Sequence, residues 1–147
     1  MNKKPKVIYH GSSKKIIGEA INPSQGDDSD ERPDNQLFGV YAADRKDFAI
    51  VMGIFSCKDV IGGSIDSFTK NSMDVKIYGK LPKQKYIYLY TLPAKTFNPS
   101  KAIKHQFVSK VAVKPIKIEK VLISDYVHLL KRATKKETKE WVKKYIK

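Results

Sequence analysis

Hydrophobic residues follow two different spacings in the clearest parts of this chain, one typical of a strand and one typical of a helix. Residues 85–92, KYIYLYTL, alternate and predict a strand, with one face formed by Tyr86, Tyr88 and Tyr90. Such tyrosines pack against a core more often than they stack on nucleic-acid bases. Residues 45–55, RKDFAIVMGIF, instead predict a helix that Asp44 is expected to cap. Its apolar face is expected to contain Phe48, Val51, Met52 and Phe55.

Shorter apolar runs predict the other strands, which glycine and proline separate. The first is KVIY at 6–9, which His10 and Gly11 are expected to end, and LFGVYAAD at 37–44 leads directly into the helix. Later strands are expected at 73–79 after a glycine turn at Gly62 and Gly63, at 106–110, and at 114–124 with a bend at Lys120 and Val121. Because no helical pattern separates these later strands, we expect antiparallel pairing.

Two further segments stand out by their charge. Residues 22–36 hold five acidic residues against one arginine, together with proline, glycine and asparagine, so they predict an acidic loop. Residues 134–147 begin with Thr134 and Glu137 at capping-box spacing and place Trp141, Val142, Tyr145 and Ile146 on one side of a helix. A basic amphipathic helix can lie on a membrane, bind nucleic acid or dock on its own sheet. Docking is the expectation, since a single tryptophan usually marks a core contact.

These elements predict a single α+β domain spanning residues 1–147. In it, two antiparallel sheet halves pack together with an early helix and a basic C-terminal helix. No apolar run is long enough for a membrane span, and no signal-peptide pattern follows the basic N-terminus. We therefore expect a cytoplasmic protein without a membrane span.

The positive charge is concentrated in the last third of the chain. Residues 91–147 hold 15 Lys and Arg against 4 Asp and Glu, whereas residues 1–90 hold 14 against 11. Such a field attracts polyanions such as nucleic acid, acidic protein or anionic lipid with little specificity. A lysine-rich solvated surface without a partner explains the same charge.

The sequence lacks the residues that several kinds of site require. Cys57 is the single cysteine and cannot form an internal disulfide, and no cluster of Cys and His has zinc spacing, so we expect no metal. The sequence has no Gly-x-Ser-x-Gly around a nucleophile. Gly62, Gly63 and Ser64 lack the Lys-Ser/Thr that follows in a phosphate-binding loop.

Three segments remain as candidates for a site: YHGS at 9–12, FGVYAAD at 38–44 and HQFVSK at 105–110. Together they resemble the ADP-ribosyltransferase superfamily, in the branch of diphtheria toxin and the poly(ADP-ribose) polymerases. That branch has a His-Gly-Ser/Thr strand end, a Gly-Val/Ile-Tyr strand leading into a helix, and a later strand with a catalytic Glu. The resemblance covers residues 7–123 in organisation and rests on about twelve residues. It implies an NAD-binding cleft between the two sheet halves.

The resemblance also implies roles for individual residues. His10 would hydrogen-bond the adenosine ribose of NAD, and Gly11 would bind the nicotinamide amide through its backbone, with no side chain in the way of the ring. Ser12 would assist at the ribose. Tyr41, with Ala42 beside it, would stack on the nicotinamide, because an aromatic face suits a flat cationic ring. Tyr41 on an apolar strand is equally compatible with a packing role.

The third motif departs from the family, since Gln106 stands at the position matched to the catalytic Glu. A glutamine can hold a ribose hydroxyl, but it has no negative charge to stabilise an oxocarbenium-like transition state. His105 is expected to point to the opposite side of the strand, and Glu119 lies on the next strand. NAD binding is thus better supported than transfer of ADP-ribose, which is degenerate or absent if Gln106 disables it.

Two other interpretations stay open. The RNA 2′-phosphotransferases share the fold, lack the catalytic Glu and act on RNA, but their second histidine has no counterpart because position 41 is Tyr. Alternatively, the protein is a non-catalytic module whose basic residues 91–147 bind nucleic acid or an acidic protein. In a combined version, the basic surface selects a macromolecular acceptor and the cleft modifies it.

Overall fold

The computed structural model describes residues 5–25, 38–101 and 103–146, which form a large sheet, a small sheet and two helices. The strands are β1 Val7–Ser12, β2 Ser24–Gln25, β3 Phe38–Ala43, β4 Val60–Phe68, β5 Met73–Gly79, β6 Tyr86–Pro93, β7 Phe97–Pro99, β8 Gln106–Ser109, β9 Lys117–Leu122 and β10 Leu130–Arg132. The helices are α1 Lys46–Phe55 and α2 Lys135–Tyr145. The predicted α+β domain with an early and a C-terminal helix is confirmed.

The large sheet has the order β7-β8-β3-β1-β6-β9, with β2 paired to β3, and the small sheet has the order β10-β5-β4. Among the described strands, the pairs are antiparallel except β10 with β5, which is parallel. Antiparallel pairing thus dominates as expected, and the parallel pair involves β10, a strand that the sequence did not predict. Two 3-10 turns, Ile123–Asp125 and Val127–Leu129, carry the chain from the large sheet to the small one.

The large sheet buries apolar residues on both faces, since side chains alternate along each strand. The first core lies between one face, α1 and the small sheet; among its members are Phe48, Ile54, Ile77, Ile87 and Leu89. The second core covers the opposite face and includes Ile8, Val40, Tyr90, Leu92 and Phe97. Each fully buried side chain of this size stabilises the fold by about 1.5–3 kcal/mol.

Tyr90 of β6 is a packing residue, whereas Tyr86 on the same face of that strand is 37% exposed. The Tyr90 side chain is 1% exposed, and its hydroxyl accepts a hydrogen bond from the backbone N–H of Ile16 at 2.7 Å. In α1 the predicted apolar face is shifted, because Met52 is 42% exposed. Ala49, Ile50 and Ile54 are buried instead of Met52, because their side of α1 packs against the large sheet.

The first strand does not end at Tyr9 as predicted. β1 continues through His10, Gly11 and Ser12, because β6 pairs with it along its whole length from Val7 to Ser12. His10 and Gly11 therefore lie inside the sheet, and the His10 side chain is on the face opposite the one where Gly11 meets α1.

The predicted turn at Gly62 and Gly63 is also wrong, since both glycines lie inside β4. A Cβ on Gly62 would stand 2.7 Å from the Trp141 ring, and a Cβ on Gly63 would overlap the ring of Phe55. The two glycines let aromatic side chains pack directly on the strand backbone.

Three other local expectations differ from the structure. Asp44 does not cap α1, because the N-cap residue is Arg45 and no side chain caps the helix. β9 has no bend at Lys120 and Val121, since its register with β6 is unbroken from Lys117 to Leu122. In the predicted acidic loop, Ser24–Gln25 forms β2, and residues 26–36 lie outside the described residues.

The C-terminal helix docks on the small sheet. Its predicted capping box is confirmed, because Thr134 accepts a hydrogen bond from the Glu137 backbone while the Glu137 side chain accepts one from Thr134. The Trp141 ring stacks on Tyr78 at 4.3 Å between centroids. The hydrogen bond from Lys76 holds the pKa of Glu137 at about 2. Neither described helix is long and apolar enough to cross a membrane.

Candidate functional site

The three segments singled out in the sequence lie on adjacent strands of the large sheet, β8, β3 and β1. β3 pairs with β8 from Val40 to Ala43, but the register of β3 with β1 is a single position, Tyr9 with Ala43. Beyond Tyr9 the two strands separate. From His10 to Ser12, the edge of β1 that faces β3 pairs with none of the described strands. We call this opening the β1–β3 fork. Alternate backbone groups of β1 point into it, because neighbouring residues of a strand point to opposite edges.

His10 bridges the fork with its side chain. Its Nδ1 lies 2.6 Å from the carbonyl oxygen of Tyr41. Because a carbonyl oxygen only accepts, Nδ1 donates this hydrogen bond and Nε2 keeps its lone pair. Burial lowers the pKa of His10, an effect that the hydrogen bond to Tyr41 opposes. The ring is therefore neutral at pH 7, and Nε2 is an acceptor suited to a hydroxyl group.

Gly11 faces the other side of the sheet, where α1 crosses β1. A Cβ on Gly11 would overlap the carbonyl oxygen of Ala49 and stand 3.1 Å from the backbone nitrogen of Gly53. The glycine is thus required for close packing of α1 on β1. This reason differs from the predicted one, which was to keep a side chain away from a bound ring. Its backbone remains at the edge of the fork.

Tyr41, Ala42 and Ser12 are placed differently from one another. Tyr41 is half-buried and shares its sheet face with Ala43, whereas Ala42 is buried in the second core on the opposite face. Ala42 can therefore reach a ligand only through its backbone. The Ser12 hydroxyl donates to the carbonyl oxygen of Lys14 at 2.8 Å and so belongs to a local turn.

Gln106 begins β8 and lies opposite Ala43. Its side chain is on the same face as Tyr41, because Tyr41 lies opposite Val108, two residues further along. The structure thus brings Tyr41 and Gln106 together as diagonal neighbours. Gln106 is 5% exposed, so a ligand must displace what covers it before it contacts the side chain.

A histidine–aspartate pair stands directly beside Gln106. His105 Nδ1 lies 2.9 Å from Asp44 Oδ1, and the His105 ring meets the edge of Phe68 at 4.9 Å between centroids. The expectation that His105 points away from Gln106 on a regular strand is wrong, because His105 precedes β8 and has φ of 70°. Its ring reaches Phe68, which packs on the first core, the same side that Gln106 faces.

The sequence did not predict the contact between Asp44 and His105, although both residues lie in its motif segments. Asp44 ends FGVYAAD and His105 begins HQFVSK, so adjacency of these two strands would have predicted the contact. The sequence does not predict the left-handed backbone of His105, although histidine adopts this conformation more often than most residues.

Glu119 is held away from the fork by lysines. It lies opposite Leu89, which lies opposite Gly11, so two strands' spacing separates Glu119 from β1. Its Oε1 lies 3.6 Å from the Lys117 ammonium and 3.9 Å from that of Lys46. We therefore do not place it at Gln106.

Within the described residues, no group of three or more His, Cys, Asp or Glu could hold a metal ion. Comparisons with models of protein families, with curated proteins and with solved structures find no match to this chain.

Proposed function

We propose that this protein binds NAD at the β1–β3 fork and transfers ADP-ribose from it to a macromolecular acceptor. One observation carries the proposal. The segments that resemble the three ADP-ribosyltransferase motifs are far apart in the sequence, yet they lie on three contiguous strands and two of them border the fork. A chance match of short motifs gives no reason for this placement.

The chemistry of the fork suits a dinucleotide with ribose hydroxyls and a carboxamide. Nε2 of His10 accepts a hydrogen bond from a ribose hydroxyl, since its Nδ1 is committed to Tyr41. The backbone N–H and carbonyl of Gly11 point toward the fork and suit the carboxamide, which both donates and accepts hydrogen bonds. Tyr41 shares a face with Gly11 and supplies an aromatic surface for the nicotinamide ring.

Transfer requires more than binding. As nicotinamide leaves with the electron pair of the glycosidic bond, positive charge develops on the ribose, and Gln106 can orient a hydroxyl there but supplies no charge. Since Gln106 is also 5% exposed, we expect NAD binding to be robust and transfer to be slow.

We expect loss of NAD binding when His10 or Tyr41 is replaced by alanine. At NAD concentrations 100-fold above Kd, the wild-type protein should gain about 2.7 kcal/mol of stability, which thermal unfolding with and without NAD detects as a rise in Tm. His10→Ala and Tyr41→Ala should each remove this rise. His128→Ala is the control, because His128 is exposed and lies outside the large sheet. An undiminished rise in both site variants would contradict the proposed site.

The outward face of α2 supports a second candidate function, the binding of nucleic acid. Five lysines and one glutamate are exposed on this helix, whereas Glu137 and Trp141 face the small sheet. The exposed residues are Lys135, Lys136, Lys139, Glu140, Lys143 and Lys144. Lys135, Lys139 and Lys143 recur every four residues, so they rise about 6 Å from one to the next. This interval is close to the spacing of phosphates along a strand.

Salt dependence tests this candidate. Each phosphate contact adds about 0.7–0.9 to the slope of log K against log salt, so changing Lys135, Lys139 and Lys143 to glutamine should lower the slope for a single-stranded oligonucleotide by about 2. The matched control changes Lys14, Lys58 and Lys83, which are exposed lysines outside residues 91–147. Equal slopes for the two triple variants would show that α2 is only a solvated face.

A further inference from the structure

We propose that His105 is the general base of the transfer reaction and that Asp44 is its positioning residue. This inference rests on the proposed function, because it assigns the group that accepts a proton from the acceptor. It starts from a conformational outlier. Among the described residues, His105 alone has a positive φ without being a glycine. Strained backbone of this kind persists only where surrounding contacts enforce it, and it concentrates at functional sites.

The contacts of His105 orient its ring and define its free nitrogen. Nδ1 donates to Asp44 Oδ1 at 2.9 Å, since a carboxylate oxygen only accepts, and Nε2 is left as the basic nitrogen. The edge contact with Phe68 fixes the plane of the ring. A second hydrogen bond joins the same residues through the backbone, from the Asp44 N–H to the His105 carbonyl oxygen at 3.1 Å.

Arg45, which follows Asp44 in the chain, makes its hydrogen bonds to other residues. Arg45 donates to both carboxylate oxygens of Asp47, at 3.0 and 2.6 Å, and to the carbonyl oxygens of Thr69 and Ser72. The hydrogen bond between Asp44 and His105 therefore does not compete with these hydrogen bonds from Arg45.

The pair adjoins the position where charge is missing. Gln106 lies opposite Ala43. His105 immediately precedes Gln106 in the chain, and Asp44 immediately follows Ala43. Gln106 can hold a hydroxyl but cannot take a proton. In the step that we assign, the C1′–N bond to nicotinamide breaks and its electron pair leaves with nicotinamide. The acceptor oxygen or nitrogen bonds to C1′, and its proton passes to Nε2 of His105 and then to water.

The alternative is that the pair only joins the end of β3 to the start of β8. His105→Gly separates the two roles, because glycine adopts a φ of 70° without strain and the vacated space can admit free imidazole. The measurements are the NAD-dependent rise in Tm, label from adenine-labelled NAD on acceptors in a crude lysate, and the same label with imidazole added.

For a general base, His105→Gly should keep the NAD-dependent rise in Tm and lose about 100-fold in transfer rate, with imidazole restoring a measurable part. Asp44→Asn keeps a hydrogen-bond acceptor for Nδ1 but removes the charge, so it should lose about 10-fold. His128→Ala should change neither quantity. If either His105→Gly or Asp44→Asn fails to fold, the other variant still tests the assignment.

Two results would overturn the assignment, and they are distinguishable. Transfer within twofold of wild type in both His105→Gly and Asp44→Asn would leave the proposed function intact and reduce the pair to a structural contact. Absence of any transfer by the wild-type protein would remove the proposed transfer activity and the role of His105 together.

Discussion

Replacing Gly11 with alanine should destabilise the protein by about 3 kcal/mol or more, because the new methyl group would overlap the Ala49 carbonyl oxygen of α1. The obstacle is backbone, so no side-chain rotation relieves it. α1 would have to move away from β1, which would weaken the first core around Ile50 and Ile54. Denaturant unfolding should show a lower midpoint than for the wild-type protein.

Gly18→Ala is the matched control for this substitution. Gly18 has φ of 99° and lies in a loop where nothing stands within 4 Å of an added Cβ, so only backbone strain opposes alanine. A loss of about 1–2 kcal/mol is expected there. If Gly11→Ala instead unfolded like wild type and lost only NAD binding, the ligand rather than α1 would require the glycine.

Replacing Gln106 with glutamate should raise the rate of ADP-ribose transfer about 100-fold. A carboxylate at this position places a negative charge beside the ribose that becomes positive as nicotinamide leaves, and electrostatic contacts of this kind change rates by about 10²–10³. Steady-state transfer at saturating NAD measures the effect in kcat. The NAD-dependent rise in Tm should change little, because both side chains accept a hydrogen bond from a hydroxyl.

The same substitution should lower stability, since Gln106 is 5% exposed and a buried carboxylate loses hydration. Gln106→Leu is the matched control, because it keeps the approximate size and removes hydrogen bonding altogether. It should reduce NAD binding and give no gain in transfer. Equal rates for the glutamate, leucine and wild-type proteins would show that position 106 does not contact the reacting ribose.

Local patterns predicted the elements whose residues carry their own signal. β5 begins and ends at the predicted residues, and α2 begins after Thr134 as its capping box indicates. β4 escaped prediction because Gly62 and Gly63 are typical of turns. Their place in a strand depends on Phe55 and Trp141, which approach from elsewhere in the chain.

The sequence suggested candidate site residues, but it did not predict how they are arranged. His10, Tyr41 and Gln106 were chosen from the sequence, whereas the Asp44–His105 contact spans 61 residues and was visible only in the fold. The physical reason for Gly11 was also hidden, because it concerns the backbone of α1.

The sequence by itself determined the α+β class, the positive charge of residues 91–147 and the motif segments, because composition and short-range periodicity are local properties. Only the tertiary structure decided that β1 and β3 separate after Tyr9, that His10 is neutral and that His105 meets Asp44. Strand pairing and burial depend on residues distant in the chain, so no local pattern contains them.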